Sequence, residues 1–143
     1  MIKSFIKLFG PAILVYGVNF IAVATGVYGV VPGFDSIMHF SGGIAIAMMA
    51  YVAWDLGFGL YDKKVMDSIP VLVKVLFVIG FVSFVGVAWE WHEYFLDQIH
   101  IQRMIAFVPM QPSIGDTMKD LFLDILGGTL FAGAMTLFSK HKN

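Results

Sequence analysis

The sequence predicts an all-α integral membrane protein, a bundle of four transmembrane helices forming one domain over residues 1–143. Of the 143 residues, 59% are hydrophobic and 13% are charged, about half the charged share of a soluble domain. The charged residues also leave four long apolar stretches, and about 20 apolar residues are enough to cross a bilayer as a helix. The predicted spans are about residues 8–31, 35–57, 70–96 and 116–139.

The boundaries of these spans follow from turn and capping signals. No residue from Leu8 to Phe34 is charged, and a Val-Pro-Gly turn ends this stretch. The third span follows a charged loop, and the fourth begins after Ser113, which with Asp116 fits a capping box. In the loop between these two spans, residues 98–107 are expected to lie as a short interfacial helix.

Basic residues predict the orientation of the bundle, because cytoplasmic loops of membrane proteins carry an excess of lysine and arginine. If four spans alternate in direction, Arg103 and Lys119 lie on one side of the membrane. The other basic residues lie on the opposite side: Lys3, Lys7, Lys63, Lys64, Lys74, Lys140 and Lys142. We therefore expect a multi-pass protein of the inner (plasma) membrane with both termini in the cytoplasm.

An acidic stripe marks the start of the fourth span. Asp116, Asp120 and Asp124 recur every fourth residue, so on a helix they lie one above another over about 12 Å. Gly127 continues this face and allows a partner helix to approach closely. Helix capping alone explains Asp116 as well as a functional role does, but Asp124 lies too deep to be a cap. A carboxylate at mid-span costs about 2.5–3.5 kcal/mol to insert.

The same alternation brings two other polar elements to that end of the bundle. The second span begins with Asp35 and His39, which share a face, although Asp35 is explained equally well as a cap. The third span ends with Glu90 and Glu93, predicted to share a side with Tyr94 and Asp97 while His92 points away. Six carboxylates and one imidazole are therefore expected to converge on the outward-facing end.

Carboxylates packed this closely outside water cannot all stay ionised, and Lys119 and Arg103 supply too little positive charge. Either protons are shared or cations are bound. Imidazole with carboxylates suits Zn, Mn or Fe, whereas carboxylates alone suit Mg or Ca. The predicted metal ligands are His39, Glu90, Glu93, Asp116 and Asp120. Asp35 is expected to orient His39, Glu93 to act as a general base, and Asp124 to be a deeper ligand or proton acceptor.

These residues carry a resemblance to a known family. The stretches 34–43, 89–93 and 115–128 resemble the YjdF-like family of small bacterial inner-membrane proteins and, more distantly, VanZ-like proteins associated with glycopeptide-antibiotic resistance. The chain departs from the family in its shorter loops and in Asp124. The resemblance implies a small helical membrane protein but no particular reaction. Position by position, it implies the same site: Asp35, His39, Glu90, Glu93, Asp116 and Asp120.

Three functions stay open at this point. The leading one is a metal-dependent hydrolase or transferase that acts on a lipid-linked substrate through a metal-bound water. The others are a proton or cation carrier and a non-catalytic envelope or resistance protein whose acids stabilise the bundle. The net charge of −1 and the lack of a long basic run make nucleic acid an improbable partner. Membrane lipids, and a second copy of the chain, are the expected partners.

Overall fold

Four of the helices in the structure are long and apolar enough to cross a membrane. The computed structural model describes residues 2–58, 65, 68–101 and 109–140. The helices are α1 (Ile2–Thr25), α2 (Val27–Val30), α3 (Phe34–Phe58), α4 (Val71–Ile101) and α5 (Ile114–Lys140). The predicted all-α class with four long apolar helices is confirmed for this part of the chain. The charged loop after α3 and the final residues 141–143 lie outside it.

The first predicted span differs from the helix observed. The helix α1 begins at Ile2 instead of residue 8, so Pro11 lies in its interior. It ends at Thr25, where Gly26 takes a left-handed conformation with φ of 75°, a conformation that costs glycine little because it has no Cβ. The short helix α2 follows and covers the last residues of the predicted first span. Lys3 and Lys7 do not stop α1, because a helix can continue past the apolar core of a bilayer.

The third helix runs further than predicted. Residues 98–101, expected to begin an interfacial helix, instead continue α4 without a break, and residues 102–108 lie outside the described part of the chain. Asp97, near the end of α4, accepts hydrogen bonds from the backbone N–H groups of Met110 (3.0 Å) and Gln111 (2.9 Å). This buried carboxylate therefore fixes the returning chain against the end of α4.

The helix α3 lies at the centre of the bundle, packed against α1, α4 and α5, and α5 also packs against α4. Two glycines set the separation of α3 and α5. A Cβ on Gly43 would overlap the backbone carbonyl of Asp124, and a Cβ on Gly127 would overlap the carbonyl oxygen of Phe40. Small residues at such crossings let helix backbones approach closely, as the sequence predicts for Gly127.

The half of the bundle away from the acidic residues is filled by apolar side chains. Its core consists of Ala47, Ala50, Val78, Val82 and Ala132. At the far end, Lys74 pairs with Asp55 at 2.7 Å and its ammonium lies 3.5 Å from the centre of the Tyr51 ring. The outside of the bundle is also apolar, with side chains such as Leu14, Phe84 and Leu137 largely exposed. A helical protein that is apolar inside and outside is suited to lipid, so the described helices contact lipid.

Candidate metal centre

Five of the predicted site residues meet in the interior at one end of the bundle. His39 lies on α3, Glu90 and Glu93 on α4, and Asp120 and Asp124 on α5. Their exposure is only 2–7%, although all five are ionisable. Buried ionisable groups inside a membrane bundle are expensive and are commonly functional. The convergence predicted from alternating spans is therefore present for these five residues.

The two nitrogens of His39 face different groups. Nδ1 lies 3.4 Å from Asp124 Oδ2. Nε2 faces three carboxylate oxygens, from Asp35 at 3.6 Å, Glu90 at 4.0 Å and Asp120 at 4.0 Å. These last three distances are too long for hydrogen bonds. The sequence predicts that Asp35 orients His39. In the structure Asp35 lies with Glu90 and Asp120 on the Nε2 side, and Asp124 is the residue beside Nδ1.

The spacing around Nε2 suits a shared cation. Two ligands of one ion with bonds of about 2.1 Å cannot be more than about 4.2 Å apart, and the three oxygens lie within that distance of Nε2. Two overlapping groups of potential ligands have all their atoms within 4.8 Å of one another: Asp35, His39 and Asp120, and His39, Glu90 and Glu93. A spread of up to 4.8 Å slightly exceeds that limit, so these side chains would have to close by a few tenths of an ångström around a single ion bound to Nε2.

Two carboxylate oxygens at this site lack hydrogen bonds. Glu90 Oε1 and Asp120 Oδ1 are fully buried and have no hydrogen-bond partner among the described residues. Lys119 Nζ lies 3.3 Å from Asp120 Oδ1, but the geometry is that of an ion pair and not of a hydrogen bond. A buried carboxylate oxygen without a partner is costly, so Glu90 Oε1, which lies 4.0 Å from His39 Nε2, is the better candidate to bind a ligand. The charge of Lys119 partly compensates Asp120 Oδ1, and it is Asp120 Oδ2 that faces Nε2.

Neighbouring polar groups hold the two glutamates in place. Trp89 Nε1 donates to Glu93 Oε1 at 2.9 Å. Gln111 Nε2 donates to the backbone oxygen of Glu90 at 2.8 Å and to its Oε2 at 2.5 Å. Sequence reasoning missed Trp89 and Gln111. The spacing of Trp89 and Glu93, one helical turn apart, was a usable signal for the first, whereas Gln111 reaches the site through a loop.

Asp116 does not join the interior group. It lies at the rim, where its carboxylate pairs with Lys119 at 2.6 Å. Its backbone N–H donates to Ser113 Oγ at 3.1 Å, so Ser113 caps α5 as predicted. Lys119 also reaches Asp35 at 3.4 Å. Lys119 therefore neutralises Asp116 at the rim, and Asp116 belongs to neither group of potential metal ligands.

The predicted face of α4 is partly correct. Glu90, Glu93 and Asp97 are buried, but Tyr94 is 51% exposed and does not share their environment. His92 points away from the site as predicted, with its ring 5.1 Å from that of Trp89. The rotation between consecutive helical positions explains the difference, because Tyr94 lies at the edge of the buried stripe.

A tyrosine that follows the first candidate membrane span, Ser4–Thr25, lies next to the group. Tyr28, on α2, donates a hydrogen bond to Asn19 Oδ1. Burial, and next the negative charge of Asp35, raise the pKa of the Tyr28 phenol well above its usual value. The phenol therefore remains protonated at ordinary pH and keeps its hydrogen bond to Asn19. The sequence offered no signal for this residue beyond its place in the turn region.

The family model described as predicted membrane protein (DUF2238) matches residues 4–141 of the chain. The chain belongs to this family. No curated protein and no solved structure matches it. For a DUF2238 protein the family description supplies membrane location but no reaction, so the chemistry must be inferred from the residues. In this DUF2238 chain the interior group of His39 and four carboxylates is the part of the structure best suited to chemistry.

Proposed function

We propose that His39, Glu90, Glu93 and Asp120 bind a divalent metal ion within the membrane bundle. The observation that carries this proposal is the environment of His39. In the tautomer that donates Nδ1–H to Asp124, Nε2 keeps its lone pair and lies 4.0 Å from a buried oxygen of Glu90 and 4.0 Å from one of Asp120. Metal-bound histidines commonly donate their second nitrogen to a carboxylate in this way, which fixes the tautomer and the ring.

In this arrangement Asp124 orients His39, and Asp35 is close enough to Nε2 to be a further ligand. Asp116 is less suited to the ligand role that the sequence predicts for it, because Lys119 already neutralises it at the rim. One imidazole with several carboxylates favours Zn, Mn or Fe over Mg, since Mg prefers oxygen ligands and keeps its waters.

We further propose hydrolysis or group transfer on a lipid-linked substrate. A metal bound here would polarise a phosphoryl or carbonyl oxygen and make a bound water acidic. Glu93 is the residue best placed to accept a proton, because Trp89 holds one of its oxygens while the carboxylate lies beside His39. Burial among apolar helices excludes bulk water, which strengthens the electrostatic interactions of these groups.

A proton or cation carrier is the second candidate, and the structure offers it less support. Below the site the described interior is apolar, from Ala47 and Val82 to Ala132. A pathway to the other face would need polar groups or water there. A non-catalytic protein whose acids and His39 share protons is the third candidate, and metal analysis separates it from the first.

The finer assignments from the sequence remain part of this proposal. They are an inner-membrane location, cytoplasmic termini and membership of the YjdF-like branch, with VanZ-like proteins as more distant relatives. The family match and the four apolar helices support the coarser statement that this is a membrane protein.

The deciding experiment is elemental analysis of protein purified in mild detergent without chelators. Wild type should contain near-stoichiometric transition metal, and Asp120→Asn should lose it. Asp116→Asn is the matched control, because Asp116 lies on the same helix and also pairs with Lys119. Metal in both variants, or in neither variant nor wild type, would contradict the proposal. Absence of metal throughout would favour the shared-proton alternative.

A further inference from the structure

A cavity of about 270 Å³ opens beside the candidate metal centre. Its walls come from α1, α3 and α4, with α2 and α5 contributing one residue each. His39 and Asp124 line it, so the cavity reaches the group that orients the proposed metal ligand. The volume is close to the lower end of the range for small-molecule pockets.

The cavity is polar at one end and apolar at the other. His39, Asp124, Asn19 and Tyr28 all lie at the end of the bundle that holds the carboxylates. Deeper along the helices the lining becomes aliphatic, ending at Ala12, Ile46 and Val82. A water-filled cavity requires polar partners on its walls, and the deep end lacks them among the lining residues. This distribution of polar and apolar lining residues matches a molecule with a polar head and a hydrocarbon tail.

The direction of the cavity follows the helix axes. On α1 its lining runs from Ala12 to Asn19, and on α4 from Val82 to Trp89. Each is a rise of about 10 Å at 1.5 Å per residue. The cavity therefore extends from the level of His39 toward the middle of the bilayer, which is the direction taken by the chains of membrane lipids.

The side of the cavity faces a seam between helices. The helix α1 packs mainly against α3, and it meets α4 through an edge contact of Tyr16 with Trp89 at 6.1 Å between ring centres. Tyr16 is 55% exposed, so this contact lies at the lipid-facing surface. A chain entering from the bilayer would pass between α1 and α4 without crossing water.

We propose that this cavity binds one hydrocarbon chain of a membrane lipid and presents the head-group linkage of that lipid to His39 and its neighbours. The inference rests on the proposed function and names its substrate class: a lipid whose reacting bond lies at the junction of head group and chain. Asn19, whose Oδ1 accepts from Tyr28, keeps its amide N–H groups to donate hydrogen bonds to that junction. Ala12, Ile46 and Val82 set the depth to which the chain inserts.

The test uses full-length protein in vesicles of phosphatidylethanolamine and phosphatidylglycerol that contain a phosphatidylcholine with a photoreactive diazirine midway along one chain. In wild type, the label should map by mass spectrometry to Ile46 and Val85, both of which line the cavity. Ala12→Phe should fill the deep end and reduce this labelling several-fold. Ala24→Phe makes the same change at an exposed position of α1 and should leave the labelling unchanged.

Metal content is measured on the same samples, so that the two proposals can fail separately. Cavity labelling that is lost only in Ala12→Phe supports the proposed hydrocarbon-chain site, even if no metal is found and the proposed function fails. Equal labelling in the two variants overturns the hydrocarbon-chain site whatever the metal content. Label confined to exposed residues such as Leu14 and Phe84 in wild type also overturns it, and that result does not depend on the folding of either variant.

Discussion

At the residue scale, the environment of His39 decides what the site can do. A buried histidine with a carboxylate at one nitrogen and three at the other is either a protonated imidazolium that pairs with these acids or a neutral imidazole that binds a metal. The proposed ligand role rests on two distances: Nδ1 lies 3.4 Å from Asp124, and Nε2 lies too far from the three oxygens that face it to hydrogen-bond them.

Asp124→Asn tests this role directly. We expect metal affinity to fall about 10–100-fold, the usual cost of removing an orienting partner, while Asp120→Asn should abolish binding. The measurement is competition with a chromogenic chelator in detergent. Asp116→Asn on the same helix is the control and should bind like wild type. An unchanged affinity in Asp124→Asn would remove Asp124 from the orienting role.

A second residue-scale prediction concerns Tyr28, whose phenol pKa is raised chiefly by burial. The fold favours the neutral phenol, so its contribution to stability is fully present below the unfolded pKa of about 10. It is lost as the pH rises from there toward the folded pKa. Tyr28→Phe should therefore reduce the loss of thermal stability between pH 9 and pH 11, relative to the exposed control Tyr94→Phe. Identical alkaline profiles in the two variants would show that Tyr28 is not the responsible group.

At the scale of the element, the crossing of α3 and α5 determines whether the site can form. Gly43 and Gly127 let the two backbones approach until Asp124 reaches His39. Gly86 on α4 has a related role, since a Cβ there would lie 2.9 Å from Asp124 Oδ2. Gly42 on α3, where a Cβ would lie 3.8 Å from Asp124 Oδ1, and Gly86 on α4 thus flank the carboxylate that lies deepest in the membrane.

Gly127→Ala should destabilise the bundle by about 1–3 kcal/mol, the usual cost of overpacking a core, because its Cβ has no room beside Phe40. Gly133→Ala is the matched control on the same helix, since a Cβ there meets nothing within 4 Å. Thermal unfolding in detergent measures both. If both variants melt at the same temperature, the close approach of α3 and α5 is not required for stability.

At the scale of the whole molecule, an even number of spans places both termini on one side of the membrane and the candidate metal centre toward the other. From the positive-inside rule we predict that the termini lie in the cytoplasm. This orientation matters for function, because it decides from which compartment a head group or a metal ion can reach His39.

Single-cysteine variants test the orientation, since the natural chain has no cysteine. Ile114→Cys, at an exposed position at the start of α5, should react in intact cells with a maleimide that cannot cross membranes. Ser4→Cys, at the exposed start of α1, should react only after the cells are broken. The reverse pattern would show that the bundle has the opposite orientation, with the carboxylates toward the cytoplasm.

The sequence by itself determined the class of protein and the elements that carry the site. Four apolar stretches predict the four long helices, and alternation of direction brings His39, Glu90 and Asp120 to one end. Capping of α5 by Ser113 and the close approach at Gly127 were also readable, because both depend on local spacing. Helix ends were less predictable: α1 starts before Lys3 and α4 continues past residue 96, since a helix does not stop at the membrane surface.

Only the tertiary structure decided which atoms meet. Positions four apart on a helix drift by about 40° because the turn holds 3.6 residues, so Asp124 faces the interior while Asp116 turns to Lys119 at the rim. Which nitrogen of His39 meets Asp124 depends on the rotation of α3 against α5. Gln111 reaches Glu90 through a loop anchored by Asp97, and the amphipathic cavity exists only where α1, α3 and α4 come together. Such contacts join residues distant in sequence, and local periodicity carries no information about them.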